Sequence, residues 1–236
     1  MITVDFKRLS VRPGDRILDI GCGSGRHTCH AYRLPQVTVV GADIQFKDLL
    51  EARRRLVLHR QLGEHGNGSW SLAAADVTGL PWIDNAFDTV ICSEVLEHIR
   101  DHRRAAGEIV RVLKPNGNLV VSVPRYLPEK ICWMLSESYH TNRGGHIRIY
   151  RIRELTQLIE SAGVRKYAAH HAHSLHTPYW WLKCLIGPSN DAAIPVRLYS
   201  RFLTWEIMGK PRVIRLLDKL LNPILGKSVV MYFQKK

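Results

Sequence analysis

A run of apolar residues that ends in a glycine-dense turn constrains the fold of this chain more than any other feature. The stretch Ile17–Gly25 reads ILDIGCGSG. An apolar run of this length predicts a buried parallel strand, and closely spaced glycines let the backbone turn tightly and approach a ligand. The spacing is G-x-G-x-G, whereas pyrophosphate-binding turns have G-x-G-x-x-G. Asp19, two residues before Gly21, would repel a pyrophosphate and attract an ammonium group.

The rest of the chain alternates strand-like and helix-like segments, an order that predicts an α/β fold with a mostly parallel sheet. Strands are predicted at Arg16–Ile20, Val37–Asp43, Ser69–Ala75, Phe87–Cys92, Asn118–Val123, Val164–His171 and Lys227–Gln234. Helices are predicted from Arg26 onward and at Phe46–Gln61, His102–Leu113 and Ile152–Ala162. Residues 177–226 separate the last two strands, where a hairpin would suffice, and are predicted to form an insertion.

Charge is distributed unevenly along a chain whose length of 236 residues predicts one domain, residues 1–236. Of the net charge of +13, residues 1–120 contribute 16 basic against 14 acidic side chains, and residues 121–236 contribute 18 against 7. This asymmetry favours an anionic partner, namely a membrane surface, a phosphorylated substrate or a nucleic acid. A basic surface that only confers solubility is the alternative.

Cysteine usage and the first residues of the chain favour a cytoplasmic location. The five cysteines are scattered and form no C-x-x-C pair, which is typical of a reducing compartment. The N-terminal residues lack the apolar region of a signal peptide, and no apolar run reaches the ~20 residues of a spanning helix.

Acidic residues follow two further predicted strands. Asp43 ends the second strand, 20 or so residues beyond the glycine turn, where a carboxylate accepts hydrogen bonds from ribose hydroxyls. Dinucleotide sites share that feature, so Asp43 alone does not choose between cofactors. Asp76 follows the third strand, within Ala74–Pro81.

Five segments, taken in order, resemble the class I S-adenosylmethionine (SAM)-dependent methyltransferases, type 11 group. They are the glycine turn, the strand ending at Asp43, Ala74–Pro81, Asn85–His98 and Leu113–Ser122. The resemblance implies a Rossmann-like sheet of seven mostly parallel strands with an antiparallel last strand, and helices on both faces. It also implies that SAM is the cofactor. The implied SAM contacts are Asp19, Gly21, Cys22, Gly23, Asp43, Ile44, Asp76, Val77, Ser93 and Glu94. Asp19 would bind the amine of SAM, Asp43 its ribose and Asp76 the adenine amine.

Glu94, Glu97 and His98 follow the fourth strand at a spacing that places them on one face of a helical turn. With His146, in the loop Arg143–Tyr150, they are two carboxylates and two imidazoles, a set that suits a divalent cation activating a hydroxyl. The pattern resembles the E-x-x-E-H of small-RNA 2′-O-methyltransferases and ubiquinone-pathway O-methyltransferases. It also occurs in methyltransferases without a known metal, where Glu97 caps or pairs and His98 packs beside the substrate pocket. His146 as a general base is a third hypothesis.

The predicted insertion is basic and rich in tryptophan, with Trp180 and Trp181 near its start. Its apolar residues recur at helical spacing: Ile194, Leu198, Phe202 and Trp205, then Val213, Ile214, Leu216, Leu217, Leu220 and Leu221. The basic residues between them are Arg197, Arg201, Lys210, Arg212, Arg215 and Lys219. This pattern predicts helices that lie in a membrane interface and bind an anionic surface; helices that pack on the sheet and roof the active site are the alternative. The histidines of 170–176 are predicted to lie near the pocket mouth.

We therefore expect SAM-dependent O-methylation of a hydrophobic or membrane-associated small molecule, such as a lipid, isoprenoid or quinone precursor, by a cytoplasmic enzyme that binds the inner face of the membrane. RNA methylation is the alternative that the basic half favours, although the aliphatic bulk of the insertion makes a nucleic-acid partner the weaker prediction. A non-catalytic partner protein with the same fold is an alternative of another class. The sequence makes no prediction of oligomeric state.

Overall fold

The computed structural model describes residues 2–141, 144–209 and 211–236. The described residues contain one sheet of seven strands: β1 Arg16–Ile20, β2 Thr38–Asp43, β3 Ser69–Ala74, β4 Phe87–Ser93, β5 Leu113–Pro124, β6 Val164–Ala172 and β7 Ser228–Lys235. The strand order is β3-β2-β1-β4-β5-β7-β6. All neighbours are parallel except β7, which runs antiparallel to both β5 and β6. The predicted α/β fold class, with its reversed last strand, is confirmed.

Helices cover both faces of this sheet. Those of the described residues are α1 Arg26–Tyr32, α2 Phe46–Gln61, α3 His102–Val112, α4 Tyr126–Leu135, α5 Glu137–Thr141, α6 Ile152–Glu160, α7 His176–Ile186, α8 Ile194–Gly209 and α9 Arg212–Leu225. One apolar core includes Ile109 of α3 and Leu155 of α6, and the other includes Cys29 of α1 and Leu56 of α2. Because side chains alternate along β7, Phe233 enters the first core and Tyr232 the second.

The strand order reverses direction between β1 and β4. The chain steps outward from β1 to β2 and β3, then returns to β4 on the other side of β1. Ligands of open α/β sheets bind beyond the carboxyl ends of the strands at such a switch point. The glycine turn after β1 and the residues after β4 therefore lie at the same edge of the sheet.

Two features differ from the sequence prediction. Strand β5 begins at Leu113, earlier than the expected Asn118, because Leu113 pairs with Phe87 before a bulge in the ladder. Helices α4 and α5, which follow β5, were not predicted. Arg143 and Lys210, named above in the histidine loop and in the basic set, lie outside the described residues.

The insertion between β6 and β7 consists of α7, α8 and α9, and it leaves much apolar surface in contact with solvent. On α8, Ile194, Leu198 and Trp205 are exposed, while Val196 and Leu203 face inward. None of the described residues of α9 is fully buried. A search of the described residues finds no helix that is both long and apolar enough to cross a membrane.

Candidate active site

The glycine turn after β1 forms one wall of a crevice at the sheet edge. Gly21 has φ +63°, and a Cβ at this position would lie 2.2 Å from Cγ2 of Val95, so only glycine fits. Gly23 has φ +51° and open space where its side chain would be. The backbone is therefore exposed to a ligand at Gly23, as a cofactor that approaches the turn requires.

Asp43, at the carboxyl end of β2, holds the glycine turn in place. Its Oδ2 accepts a hydrogen bond from the Gly23 amide and its Oδ1 accepts one from the Gln45 amide, both at 2.8 Å. Each carboxylate oxygen has a second lone pair. Asp43 can therefore accept further hydrogen bonds from two ribose hydroxyls without releasing the turn.

Asp19 and Cys22 lie beneath the turn rather than in the open crevice. Asp19 is 1% exposed, and its Oδ2 accepts a hydrogen bond from the Thr28 hydroxyl at 2.6 Å. Burial raises the pKa of Asp19 to about 6, although the Thr28 hydrogen bond opposes the shift. Burial also raises the pKa of the Cys22 thiol. A bound ammonium group nearby would favour the ionised form of Asp19, and direct contact between the two stays a prediction.

Three further predicted SAM contacts follow β2 and β3. Ile44 follows Asp43 and is 66% exposed, so its apolar side chain is accessible to a ligand. Asp76 uses Oδ1 to accept hydrogen bonds from the amide and hydroxyl of Thr78, both at 2.8 Å. Val77, beside it, is buried. Contact of Asp76 and Val77 with adenine stays a prediction.

Beyond β4, the chain bends sharply at Glu94. Glu94 has φ +59°, a left-handed conformation that is unfavourable for a residue with a Cβ. The Ser122 hydroxyl donates to Oε1 of Glu94 at 3.0 Å, so Ser93 must donate the 2.8 Å hydrogen bond that joins the two serines. Burial raises the pKa of Glu94, and the Lys227 ammonium group opposes that shift.

Glu97, His98 and His146, which we call the acceptor cluster, come together as the sequence predicted. One potential ligand atom from each residue lies within 4.8 Å of the others. Glu97 is 1% exposed, and neither carboxylate oxygen has a hydrogen-bond partner within the described part of the chain. Burial, reinforced by the charge of Glu94, raises the pKa of Glu97 well above its usual value. Glu94 is not a member of this group.

A second buried carboxylate, Glu129 of α4, supports the cluster, and sequence reasoning did not identify it. Oε1 of Glu129 lies 2.5 Å from Nδ1 of His146, and its Oε2 lies 3.5 Å from the Lys227 ammonium group. Trp133 and Tyr139 also donate to this carboxylate, at 3.3 and 3.4 Å. Burial alone would raise the pKa of Glu129, but the His146 hydrogen bond and Lys227 outweigh burial and lower it.

The hydrogen bonds of the two histidines determine which nitrogen each presents to a ligand. Nδ1 of His98 donates to the Gly145 carbonyl at 3.2 Å, because a carbonyl can only accept. Nδ1 of His146 donates to Glu129. Nε2 of each ring is then the nitrogen left to bind a cation or take a proton, an arrangement that is typical of metal-binding histidines.

A divalent cation at the acceptor cluster stays a prediction, and the positions of the three ligand atoms can be compared with what a cation requires. A cation bound by nitrogen and oxygen at about 2.0–2.2 Å brings its ligand atoms within roughly 4.4 Å of one another. The three ligand atoms lie within 4.8 Å of one another, which is wider than this value, so the side chains would have to move closer to bind a cation. The partnerless oxygens of Glu97 would gain a partner when the cation binds. The donor set of one carboxylate and two imidazoles suits a divalent transition metal or zinc.

Aromatic rings from α5 and α7 cover the acceptor cluster. The ring of Tyr139 lies 6.2 Å from that of His146 and 5.8 Å from that of Trp180. The Lys227 ammonium group lies 5.1 Å from the centre of the Trp180 ring. We call Tyr139 and Trp180 the aromatic wall, and it places the first helix of the insertion beside the candidate site.

The histidines of 170–176 do not join the acceptor cluster. His170 and His171 belong to β6, and His173 follows it with φ +68°. His173 and His176 instead line a separate cavity between α1 and α9. Their predicted place near the pocket mouth stays untested, because no acceptor is bound.

Comparison with known proteins gives matches to methyltransferases. A family model described as "Methyltransferase domain" matches residues 5–169. The chain is 40% identical over 113 residues to the ubiquinone/menaquinone biosynthesis C-methyltransferase UbiE of Pasteurella multocida. The aligned region is 47% of this chain and 40% of that protein. It is 32% identical over 115 residues to the O-methyltransferase cnsE of Penicillium expansum, 49% of this chain and 40% of that one.

The chain spans about 40% of the length of these two curated relatives. Among solved structures, a putative methyltransferase from Bacillus halodurans has a TM-score of 0.63 at 18% identity and covers 98% of this chain and 96% of its own. At this identity the match describes the fold alone. The insertion lies beyond the residues that the family model matches.

Proposed function

We propose, on the premise that this chain belongs to the class I SAM-dependent methyltransferases, that it methylates an oxygen atom of a hydrophobic or membrane-associated small molecule. SAM supplies a methyl group on a sulfonium, which is transferred by in-line displacement. The protein must then hold the donor, align the acceptor and remove its proton. The glycine turn, Asp43 and Ile44 are the residues that would hold SAM.

The observation that carries O-methylation is the 2.5 Å contact between His146 and Glu129. A carboxylate on Nδ1 fixes the imidazole tautomer and stabilises the imidazolium that forms when Nε2 takes a proton. A hydroxyl held beside His146 would lose its proton to Nε2 as the methyl group arrives. Glu129 would stay ionised throughout, which its lowered pKa supports.

The acceptor cluster offers a second way to activate the same hydroxyl. Glu97, His98 and His146 would hold a divalent cation, whose charge lowers the pKa of a bound hydroxyl. The lone pair of His146 Nε2 can bind a cation or take a proton, but not both at once. Removal of divalent cations therefore separates the two arrangements.

The apolar character of the acceptor is inferred from the aromatic wall and from the surface of the insertion. On α9, Val213, Leu217 and Leu220 are exposed and share one face. An exposed apolar stripe on a helix that also carries arginine and lysine matches an anionic membrane surface in both polarity and charge. We propose that α8 and α9 bind the inner face of the membrane of a cytoplasmic enzyme, within a single domain of residues 1–236.

The proposal is tested by incubating the protein with methyl-labelled SAM and fractionated membrane lipids. Incorporation of label into an apolar fraction, as an ether that resists mild base, is the expected result. Parallel reactions with a chelator, and with Mn²⁺ or Zn²⁺ restored, decide between His146 as a base and a cation-dependent reaction. Two results would overturn the proposal. Label that enters only RNA would favour an RNA methyltransferase, and binding of SAM without turnover would favour a non-catalytic partner protein.

A further inference from the structure

A second cavity, of about 930 Å³, lies between α1 and α9. The side chains that line it include Arg26 and Arg33 of α1, His173 and His176 beyond β6, and Arg212, Arg215 and Lys219 of α9. We call it the basic cavity. Within the described residues it shares no lining residue with the acceptor cluster, and Asp19, Gly23 and Asp43 do not line it. Its volume lies in the range of small-molecule sites.

Positive charge exceeds negative charge in this cavity. Five arginine and lysine side chains line it against two carboxylates, Glu206 and Asp218. Asp218 is already engaged, because its Oδ1 accepts from the Ser174 hydroxyl at 2.7 Å and from the Leu175 amide at 3.2 Å. The cavity therefore attracts an anion.

Four of the five cations have no ionic partner. Over residues 2–141, 144–209 and 211–236, no carboxylate lies within 4.0 Å of Arg26, Arg212, Arg215 or Lys219. Arg33 alone forms an ion pair, with Glu64 at 3.5 Å. Glu206 lies near Arg215 and offsets part of this charge. The remaining like charges repel one another, and a bound anion relieves that repulsion.

Two of the four histidines that line the cavity, His173 and His176, are buried rings that can donate a hydrogen bond without adding charge. Burial lowers the pKa of His173 well below its usual value, and burial also lowers the pKa of His176 to about 4. Both rings are therefore neutral at pH 7. Each neutral ring carries one N–H group. Nε2 of His173 already pairs with the Thr3 hydroxyl at 3.3 Å, so this ring can donate to an oxyanion through Nδ1.

We propose that the basic cavity binds a phosphate group, carried by a small phosphoester or diphosphate. Phosphate matches the planar donor array of arginine, and three of the cations, Arg212, Arg215 and Lys219, recur on one side of α9 at i, i+3 and i+7. This inference goes beyond methyl transfer, since none of the residues that would hold SAM takes part. Leu216 lines the same cavity and is exposed, so the phosphate can belong to a soluble molecule or to a lipid whose chains lie along the apolar stripe.

The test uses two probes and two matched variants. The probes are inorganic pyrophosphate, titrated by calorimetry at low salt, and vesicles of phosphatidylcholine with or without phosphatidic acid, followed by co-sedimentation. The cavity variant is Arg212→Gln with Arg215→Gln. The control is Arg53→Gln with Arg54→Gln, which removes the same charge from exposed positions of α2 that neither line the cavity nor belong to the insertion.

We expect the wild-type protein to bind at least one probe, the cavity variant to bind it at least tenfold more weakly, and the control to stay within twofold of wild type. Loss of pyrophosphate binding identifies a soluble phosphate ligand. Loss confined to phosphatidic acid vesicles identifies a lipid headgroup. Equal loss of probe binding in both variants would show that the probe binds nonspecific surface charge. That result, or wild-type protein that binds neither probe, would overturn the proposal. Thermal melts of both variants establish that they fold.

Discussion

Replacement of Glu97 by methionine is expected to stabilise the protein. The side chain is 1% exposed and both of its oxygens lack hydrogen-bond partners among the described residues. A buried polar group without a partner costs about 1–3 kcal/mol, so Glu97→Met should raise the free energy of unfolding by about 2 kcal/mol. For a chain of this size each kcal/mol raises Tm by about 2–4 °C, and the expected increase is roughly 4–8 °C.

The stabilisation should depend on pH. The pKa of Glu97 is raised in the folded protein, so the folded state binds a proton that the unfolded state releases. Stability of the wild type is therefore highest below the unfolded pKa of Glu97 and decreases as pH rises above it. Because Glu97→Met removes this titration as well as the partnerless group, its advantage should be about 2 kcal/mol near pH 4 and should grow toward pH 8. Urea unfolding of metal-free protein, followed by circular dichroism across this pH range, measures the difference.

Glu129→Met is the matched control, because Glu129 is equally buried but fully partnered. Its removal leaves His146, Trp133, Tyr139 and Lys227 without their acceptor. Loss of one partner from a buried charged pair costs about 3–5 kcal/mol. The two variants should thus change Tm in opposite directions. A Glu97→Met protein that is destabilised as much as Glu129→Met would refute the view that Glu97 lacks partners.

Two further results follow from the site and the insertion. Glu129→Gln keeps the shape of the side chain but removes the charge that supports His146, so kcat for methyl transfer to an active lipid fraction should fall about 10- to 100-fold. Calorimetry should show unchanged SAM affinity. An unaltered kcat would exclude the His146–Glu129 pair from proton removal. Leu217→Ser with Leu220→Ser should reduce co-sedimentation with anionic vesicles, because both side chains are exposed on α9. Leu58→Ser, at an exposed position of α2, should not. Equal binding by the wild type and both variants would argue against insertion of α9 into the membrane.

Local sequence patterns identified the sheet and the glycine turn because their determinants are close together in the chain. Strand β1, Arg16–Ile20, and helix α2, Phe46–Gln61, have the predicted bounds. Strand β5 starts earlier than predicted because Leu113 pairs with Phe87 on a neighbouring strand. That contact is not visible in the local pattern.

Glu129 was not predicted, because the contacts that make it part of the site are also distant in sequence. Its partners His146 and Lys227 are distant in sequence, and its own segment, Tyr126–Leu135, lacks a motif. The only local signal is a carboxylate within a largely apolar helix, which is more often exposed than buried. By contrast, Glu97 and His98 are adjacent in the chain and lie beside His146 as expected. The helical turn predicted to hold Glu94 with them does not form, because Glu94 has φ +59°.

Calorimetric titration of SAM into wild-type and Asp43→Ala protein tests the central claim most directly. Asp43 holds the glycine turn through two 2.8 Å hydrogen bonds and is expected to hold the ribose, and each hydrogen bond to a charged group contributes about 1.5–3 kcal/mol. Asp43→Ala, which removes two such bonds, should therefore weaken SAM binding by at least about a hundredfold, whereas Asp76→Ala, which removes one, should weaken it about ten- to a hundredfold. Unchanged affinity in a folded Asp43→Ala protein, or wild-type protein that binds a nicotinamide dinucleotide in place of SAM, would contradict the account.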